Sequence, residues 1–345
     1  MKKYGLYLLA VLLCVFLIDP VSARGEEKKL EKVTVGSAPA LTAAGMFIAK
    51  EKGFFEEEGL DVDLSVFKQS TVEILPLLAT NKLDVGACGY SAGILNAFIQ
   101  DTGVRMVGCF GRHLGGQSHL IVVINKKQCP AELTAADIKG KTFAVPTRGV
   151  IQEIITERFL ERYGLTLNDV ELVNLSYPNT KTAIMNGSVF GSVLIEPYAS
   201  SLVYDGYAVA IMKASDLRPV FQGGVILYSG DFAEKKKDLA RKWMVAYLRG
   251  VRYFNDFLAG KVDRKEIYDI MDKYGSSVGD FEAFKRVSFG GINPDGFLDK
   301  KSVAEDIDWY FDHGYITTKP SVDEMVDDEF AEYAVKELGP YRSDK

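Results

Sequence analysis

The chain has 345 residues, 47% of them hydrophobic and 26% charged, the composition of an ordinary globular protein. Its 41 Lys and Arg against 47 Asp and Glu leave a net charge of −6, which argues against nucleic-acid binding, since that rests on basic patches. Single cores rarely grow beyond roughly 250–300 residues, so two lobes with cores of their own are expected.

The first segment reads as an export signal. Lys2 and Lys3 give Met1–Ala23 a positive start, Leu6 to Ile18 is apolar throughout, and Val21-Ser22-Ala23 offers small residues for cleavage. The apolar run is short of the ~20 residues of a membrane span. No comparable run follows, so a soluble, exported and monomeric protein is expected. Leu13 stands where a lipid anchor on Cys14 would need a small residue. Removal of the signal leaves Cys88, Cys109 and Cys129, an odd number in an oxidising compartment. Cys88 and Cys109 each end an apolar run and read as buried free thiols.

The mature chain opens with a strand, a loop, a helix and a second strand. Lys32 to Ser37 is a short β-branched run that Ala38-Pro39-Ala40 breaks, because Pro has no N–H for a sheet ladder. Met46, Phe47, Ala49, Phe54 and Phe55 recur at near-helical spacing, with stops at Gly53 and Gly59. Leu60, Val62, Leu64 and Val66 then alternate with Asp61, Asp63 and Ser65, the period of a strand with one polar face. Asp84–Cys88 and Val104–Phe110 are further strands, with a helix over Ala92–Gln100 between them. The glycine-rich loop Gly111–Ser118 leads to a fully apolar strand, His119–Ile124, expected to carry the chain out of the first lobe.

The second lobe is expected over residues 125–220, and it repeats the grammar of the first. Thr142–Val145 with Pro146-Thr147-Arg148-Gly149 echoes the opening strand and its loop. A helix from about Val150 to Tyr163, strands at Glu171–Leu175, Gly191–Ile195 and Tyr207–Met212, and a return strand at Val220–Ser229 follow. Residues 30–124 and 221–345 form a discontinuous first lobe, so two crossings make a hinge. Leu239, Trp243, Ala246, Tyr247, Gly250, Tyr253, Phe254 and Phe257 mark the core face of a long helix.

Four segments carry a resemblance. Ala49-Lys50-Glu51-Lys52-Gly53-Phe54-Phe55-Glu56-Glu57-Glu58-Gly59-Leu60-Asp61-Val62 resembles the opening signature of the solute-binding proteins of ABC importers, in the nitrate, sulfonate, taurine and thiamin-pyrimidine-precursor group. Ala79–Gly86, Asp137–Pro146 and Ile195-Glu196-Pro197-Tyr198 match in the same order. The resemblance implies an α/β, two-lobed periplasmic-binding-protein clamp of type II, each lobe a mostly parallel sheet flanked by helices. It also implies a small-molecule ligand and a permease partner in the inner membrane. The group usually carries Asp where Gly191 stands.

Ligands of open α/β sheets sit outside the carboxyl ends of the strands, which selects the candidate wall. The first lobe offers Pro39, Ala40 and Leu41, then Gly89, Tyr90 and Ser91, then His113 and Ser118. The second offers Thr147, Arg148 and Gly149, then Tyr177 and Glu196, with Gln222 at the hinge. A helix start after Gly149 suits an anion, yet Arg148 places a cation there, so a negative partner is expected, either in the ligand or in Glu153. His113 beside Arg112 is expected to stay neutral as a hydrogen-bonding or rim residue. His113 and His119 lack zinc-site spacing, the glycine pairs lack a phosphate-loop context, and no nucleophile motif is present, so neither metal nor cofactor is expected.

Two classes of function compete on these residues. One is a periplasmic solute receptor closing by its hinge on a sulfonate, carboxylate or heteroaromatic. The other is an enzyme on the same clamp, of dehydratase or pyrimidine-precursor synthase type. The fungal synthase resembling this group carries a cysteine-rich run, whereas this chain has only Ala87-Cys88-Gly89-Tyr90 in that area.

Overall fold

The alternation over Leu60–Val66 is realised as a strand whose apolar residues face inward while Asp61, Asp63 and Ser65 face solvent. The computed structural model describes residues 29–67, 71–276 and 279–342, and the export signal expected at Met1–Ala23 lies outside them. In chain order the strands are β1 (Glu31–Ser37), β2 (Leu60–Val66), β3 (Val85–Gly89), β4 (Arg105–His113), β5 (Leu120–Asn125), β6 (Thr142–Val145), β7 (Glu171–Asn174), β8 (Gly191–Ile195), β9 (Ala208–Lys213) and β10 (Phe221–Tyr228).

They form two sheets of five, ordered β2-β1-β3-β10-β4 and β7-β6-β8-β5-β9. In the first, β1 runs parallel to β2 and β3, while β10 is antiparallel to both its neighbours. The second repeats this, with β6 parallel to β7 and β8 and with β5 antiparallel to β8 and β9. Each sheet thus takes, in its fourth place, the strand that arrives by a crossing.

The first crossing differs from expectation. β5 is not the last strand of the first lobe but a central strand of the second, pairing Leu120–Ile124 with Ile195–Gly191 and Ile121–Asn125 with Lys213–Ala208. The chain therefore crosses between His113 and Leu120, earlier than 124. Every residue of β5 is buried, and such a run carries no face-specific pattern to say which sheet it joins.

Two positions show why glycine was needed. At Gly191 a Cβ would stand 2.9 Å from the Phe143 ring and 3.0 Å from the Val123 carbonyl. The corresponding Asp84 in the first lobe does have room: it accepts from Thr34 N–H and Oγ and pairs with Lys236 at 2.9 Å. At Gly250 the long helix Lys237–Leu258 crosses the helix Ala44–Glu51 so closely that a Cβ would overlap the Gly45 carbonyl oxygen and stand 2.9 Å from Ala49. The stripe around it, Trp243, Tyr247, Val251 and Phe254, is fully buried.

In an unconstrained helix Gly→Ala stabilises by up to about 1 kcal/mol. Gly250→Ala should instead destabilise by about 1–3 kcal/mol, the usual cost of overpacking, because the obstacle is backbone. Urea unfolding of the two proteins checks the sign.

Candidate functional site

The carboxyl ends of the strands of both sheets face each other, and the lobes meet there directly. Ser91 precedes the helix Ala92–Ile99 and Val150 precedes the helix Ile151–Glu161; the two residues form an antiparallel bridge, with Ala92 N–H donating to the Gly149 carbonyl at 2.9 Å. Ser91 and Gly149, both picked from sequence, are therefore brought together across the lobes. Gly149 has φ +70, the left-handed conformation that glycine adopts without strain.

The anion called for at this helix start is present within the chain. Glu153, in the first turn of Ile151–Glu161 and with no exposure, accepts the Gly149 N–H at 2.8 Å and the Tyr315 hydroxyl at 2.7 Å. Arg148 pairs with the same carboxylate at 2.6 Å, and its Nε donates to Tyr315 Oη at 3.0 Å. Of the two partners left open for Arg148, the structure supplies the internal one. The Arg148 side chain stays 44% exposed, so it keeps a solvent-facing side. Thr147 beside it is exposed.

His113, Ser118 and Gln222 lie together, but inside the hinge. His113 is the last residue of β4 rather than a loop residue, and it is fully buried: its ring stacks on Phe221 at 4.0 Å and lies 4.5 Å from His119, and Nδ1 is 2.8 Å from Ser118 Oγ. Ser118 Oγ donates to the Leu120 carbonyl and accepts the Leu120 N–H. Gln222 spends its amide on the Gly111 carbonyl and the Asp299 N–H, at 3.0 and 3.1 Å. Burial, more than a neighbouring charge, keeps the imidazoles neutral: His113 is pushed well below the usual histidine range by burial, then by His119 and Arg218, and burial holds His119 at about 4.

The other candidates lie at or near the strand ends of the two sheets. Pro39 and Ala40 are half-buried and Leu41 is buried in the loop after β1. Gly89 accepts from Thr71 Oγ at 3.1 Å, and Tyr90 donates its N–H to the Gly223 carbonyl at the same distance. Tyr177 stacks on Tyr198 at 5.7 Å and receives the Gln152 amide at 2.7 Å on its hydroxyl. Glu196 is buried and accepts from Ser200 Oγ, Ser200 N–H and Ser288 N–H. Burial pushes its carboxyl upward against those hydrogen bonds.

The helix Lys300–Asp312 is expected from sequence, from about Ser302, but sequence reasoning gave neither it nor the turn after it a place at the site. Trp309 and His313 both bond to Glu157 on the second lobe, and Tyr315 bonds to Glu153. Asp306 pairs with Arg218, which lies in the second crossing. One signal was available: Asp306 falls on the apolar stripe Val303, Ile307 and Tyr310, where a carboxylate needs a partner.

Two open sheets, each with a returning antiparallel fourth strand, joined by two crossings and facing each other with their strand ends, define a periplasmic-binding-protein fold. The chain belongs to the NMT1/THI5-like family, whose model matches residues 41–256. It is 26% identical to a putative aliphatic sulfonates-binding protein of Bacillus subtilis over 343 residues, 98% of each chain. In three dimensions it resembles the periplasmic aliphatic sulphonate binding protein of Escherichia coli, with TM-score 0.69 and 16% identity over 88% of this chain and 99% of that one. It also resembles the periplasmic nitrate-binding protein of Synechocystis, with TM-score 0.71 and 12% identity over 90% of each chain.

Removing one partner of a buried ion pair costs about 3–5 kcal/mol, and the solvent exposure of Arg148 discounts this to about 1–3 kcal/mol. Arg148→Ala and Glu153→Ala should each lower the unliganded stability by such an amount. Chemical denaturation of both variants reads it, and unchanged stability with lost solute affinity would return Arg148 to the ligand. The hinge histidines set a pH dependence. Both are neutral in the folded protein below the ordinary value of 6.5, so the unfolded chain takes up protons first. Stability should be full above about pH 6.5 and fall as pH drops from there toward 4, by up to about 1.4 kcal/mol per unit for each histidine. Urea unfolding at pH 7, 6 and 5 measures the slope, which His119→Gln should flatten.

Proposed function

We propose that the protein is the periplasmic solute-binding component of an ABC importer, which closes its lobes on a small organic solute, a sulfonate, a carboxylate or a heteroaromatic, and hands it to an inner-membrane permease. The observation that carries this reading is the contact between Ala92 N–H and the Gly149 carbonyl, made by two helix starts on separately built sheets. Contacts of this kind form when a hinged clamp shuts, and a solute that touches both walls shifts the population toward that state. The export signal read at Met1–Ala23 supports a place outside the cytoplasm. The relatives named for sulfonate and nitrate binding support an importer role.

The chemistry of the buried groups favours binding over turnover. Cys88 is enclosed, and burial pushes its thiol up to about 12, so the nucleophilic thiolate is absent at neutral pH. The one close Ser–His pair among the described residues, Ser118 with His113, is sealed in the hinge with no exposure on either side chain.

A thermal-shift screen of sulfonates, carboxylates, pyrimidines and inorganic anions on the purified protein should find a stabilising solute. Small-angle scattering should then show a smaller radius of gyration with that solute than without it. Mass spectrometry should recover the solute unchanged after prolonged incubation. Product that accumulates with time and protein concentration would refute the binding reading in favour of an enzyme.

A further inference from the structure

Buried polar side-chain atoms nearly always have a hydrogen-bond partner, so a cluster without partners needs an explanation. The hydroxyls of Tyr90 and Tyr310 and the Oδ2 of Asp306 form such a cluster. Tyr90 is 1% exposed, Tyr310 0% and Asp306 1%. The two tyrosine rings meet edge-on with centroids 6.1 Å apart, and Asp306 lies one turn before Tyr310 on the helix Lys300–Asp312. Tyr90 ends the turn after β3, two residues before Ala92 makes its bond to the second lobe. Tyr310 packs edge-on against Tyr315, the residue that reaches Glu153. The three oxygens therefore sit beside the place where the lobes close.

The carboxylate of Asp306 is met by its cation on one oxygen only. Arg218 gives one guanidinium nitrogen to Asp306 Oδ1 and the other to Glu305 at 3.0 Å and to the Ser302 carbonyl at 3.0 Å. Glu305 is half exposed and also meets Lys301 at 4.0 Å, whereas the second oxygen of Asp306 is left over. Burial lifts the Asp306 carboxyl to about 7 in spite of Arg218, so the guanidinium alone does not offset its desolvation.

We infer that Tyr90, Tyr310 and Asp306 form a subsite for an N–H-bearing end of the solute, an amine or an amidine. The inference rests on the solute-binding reading above and narrows it. The N–H groups of an amidinium fit the free oxygen of Asp306 and the lone pairs of two phenols, and its charge suits a buried carboxylate that Arg218 meets on one oxygen only. A sulfonate in the same place would bring its oxygens against the free oxygen of Asp306 and has no N–H to offer it. The second lobe, through Glu153 and Arg148, then closes behind the bound end.

The test uses benzamidine and benzylamine against benzenesulfonate, which keep the ring and change the polar group, in titration calorimetry and thermal shift on the full purified chain. Benzamidine and benzylamine should bind and raise the melting temperature, and benzenesulfonate should do neither. Tyr90→Phe and Tyr310→Phe should each weaken benzamidine at least tenfold. Their unliganded melting temperatures should be unchanged or higher, because each change removes a hydroxyl that has no partner. Asp306→Asn should abolish benzamidine binding, and the two tyrosine variants keep the test decisive if that protein does not fold. Binding of benzenesulfonate in preference, no binding of either nitrogenous probe, or wild-type affinity in both tyrosine variants overturns the proposal. So does a drop in unliganded melting temperature for Tyr310→Phe, which would assign the hydroxyl to a structural water. Compaction around a sulfonate or carboxylate with indifference to both amines overturns this subsite and leaves the importer reading standing, whereas failure of every solute in the wider screen sinks the importer reading itself.

Discussion

The stacking of His113 on Phe221 is the contact through which the two lobes are held in one geometry. His113 ends β4, just before the chain leaves the first sheet, and Phe221 begins β10, just after it returns. Both crossings are therefore tied at one point. His119 adds a second ring on the first crossing, and Arg218 on the second lies over the Phe221 ring at 5.6 Å. The space is close enough that a Cβ at Gly223 would stand 2.7 Å from His113 Nε2. Packing of this density transmits strain rather than absorbing it, so rotation of one lobe must disturb both crossings together.

Closure is secured at two edges by carboxylates of the second lobe. Glu153 and Glu157 meet Tyr315, Trp309 and His313 on one edge, and Glu196 meets the Ser288 N–H on the other. All of these partners come from the C-terminal region, which is built onto the first lobe yet reaches across it. Exposed contacts of this kind are worth little singly. Those of Glu153 and Glu196 carry more weight, because a buried carboxylate stripped of its donors pays its full desolvation. On the receptor reading proposed above, a solute acts on an equilibrium that the chain's own contacts already bias, and it shifts that equilibrium only by the difference in its affinity for the open and closed states.

A Ser–His pair 2.8 Å apart invites comparison with a nucleophile and its base, and the surroundings decide against it. Ser118 Oγ is occupied by both polar groups of Leu120, and the imidazole stacks on Phe221 and meets the His119 ring at a tilt. Geometry that would mean catalysis at a cleft surface means rigidity inside a hinge. The unpartnered oxygens of Tyr90, Tyr310 and Asp306 present the opposite case, with burial and adjacency but with capacity unused.

Local pattern was sufficient for most of the framework. Thr142–Val145, Gly191–Ile195 and Leu60–Val66 are strands at the residues their apolar runs span, and the stripe from Trp243 to Phe254 is the core face of a single helix. These are decisions of side-chain period and turn chemistry, which act over a few residues and can be read from them. The sheet that β5 joins was not readable, since a strand buried on both faces has no polarity to orient it. Arg148 and Glu153 are near enough in sequence to be considered as partners, but only folding brings Tyr315 to the same carboxylate from 162 residues away. His113 and Phe221 meet for the same reason. What the tertiary structure alone decided is which polar groups find partners and which are left without them, because that depends on contacts between segments far apart in the chain.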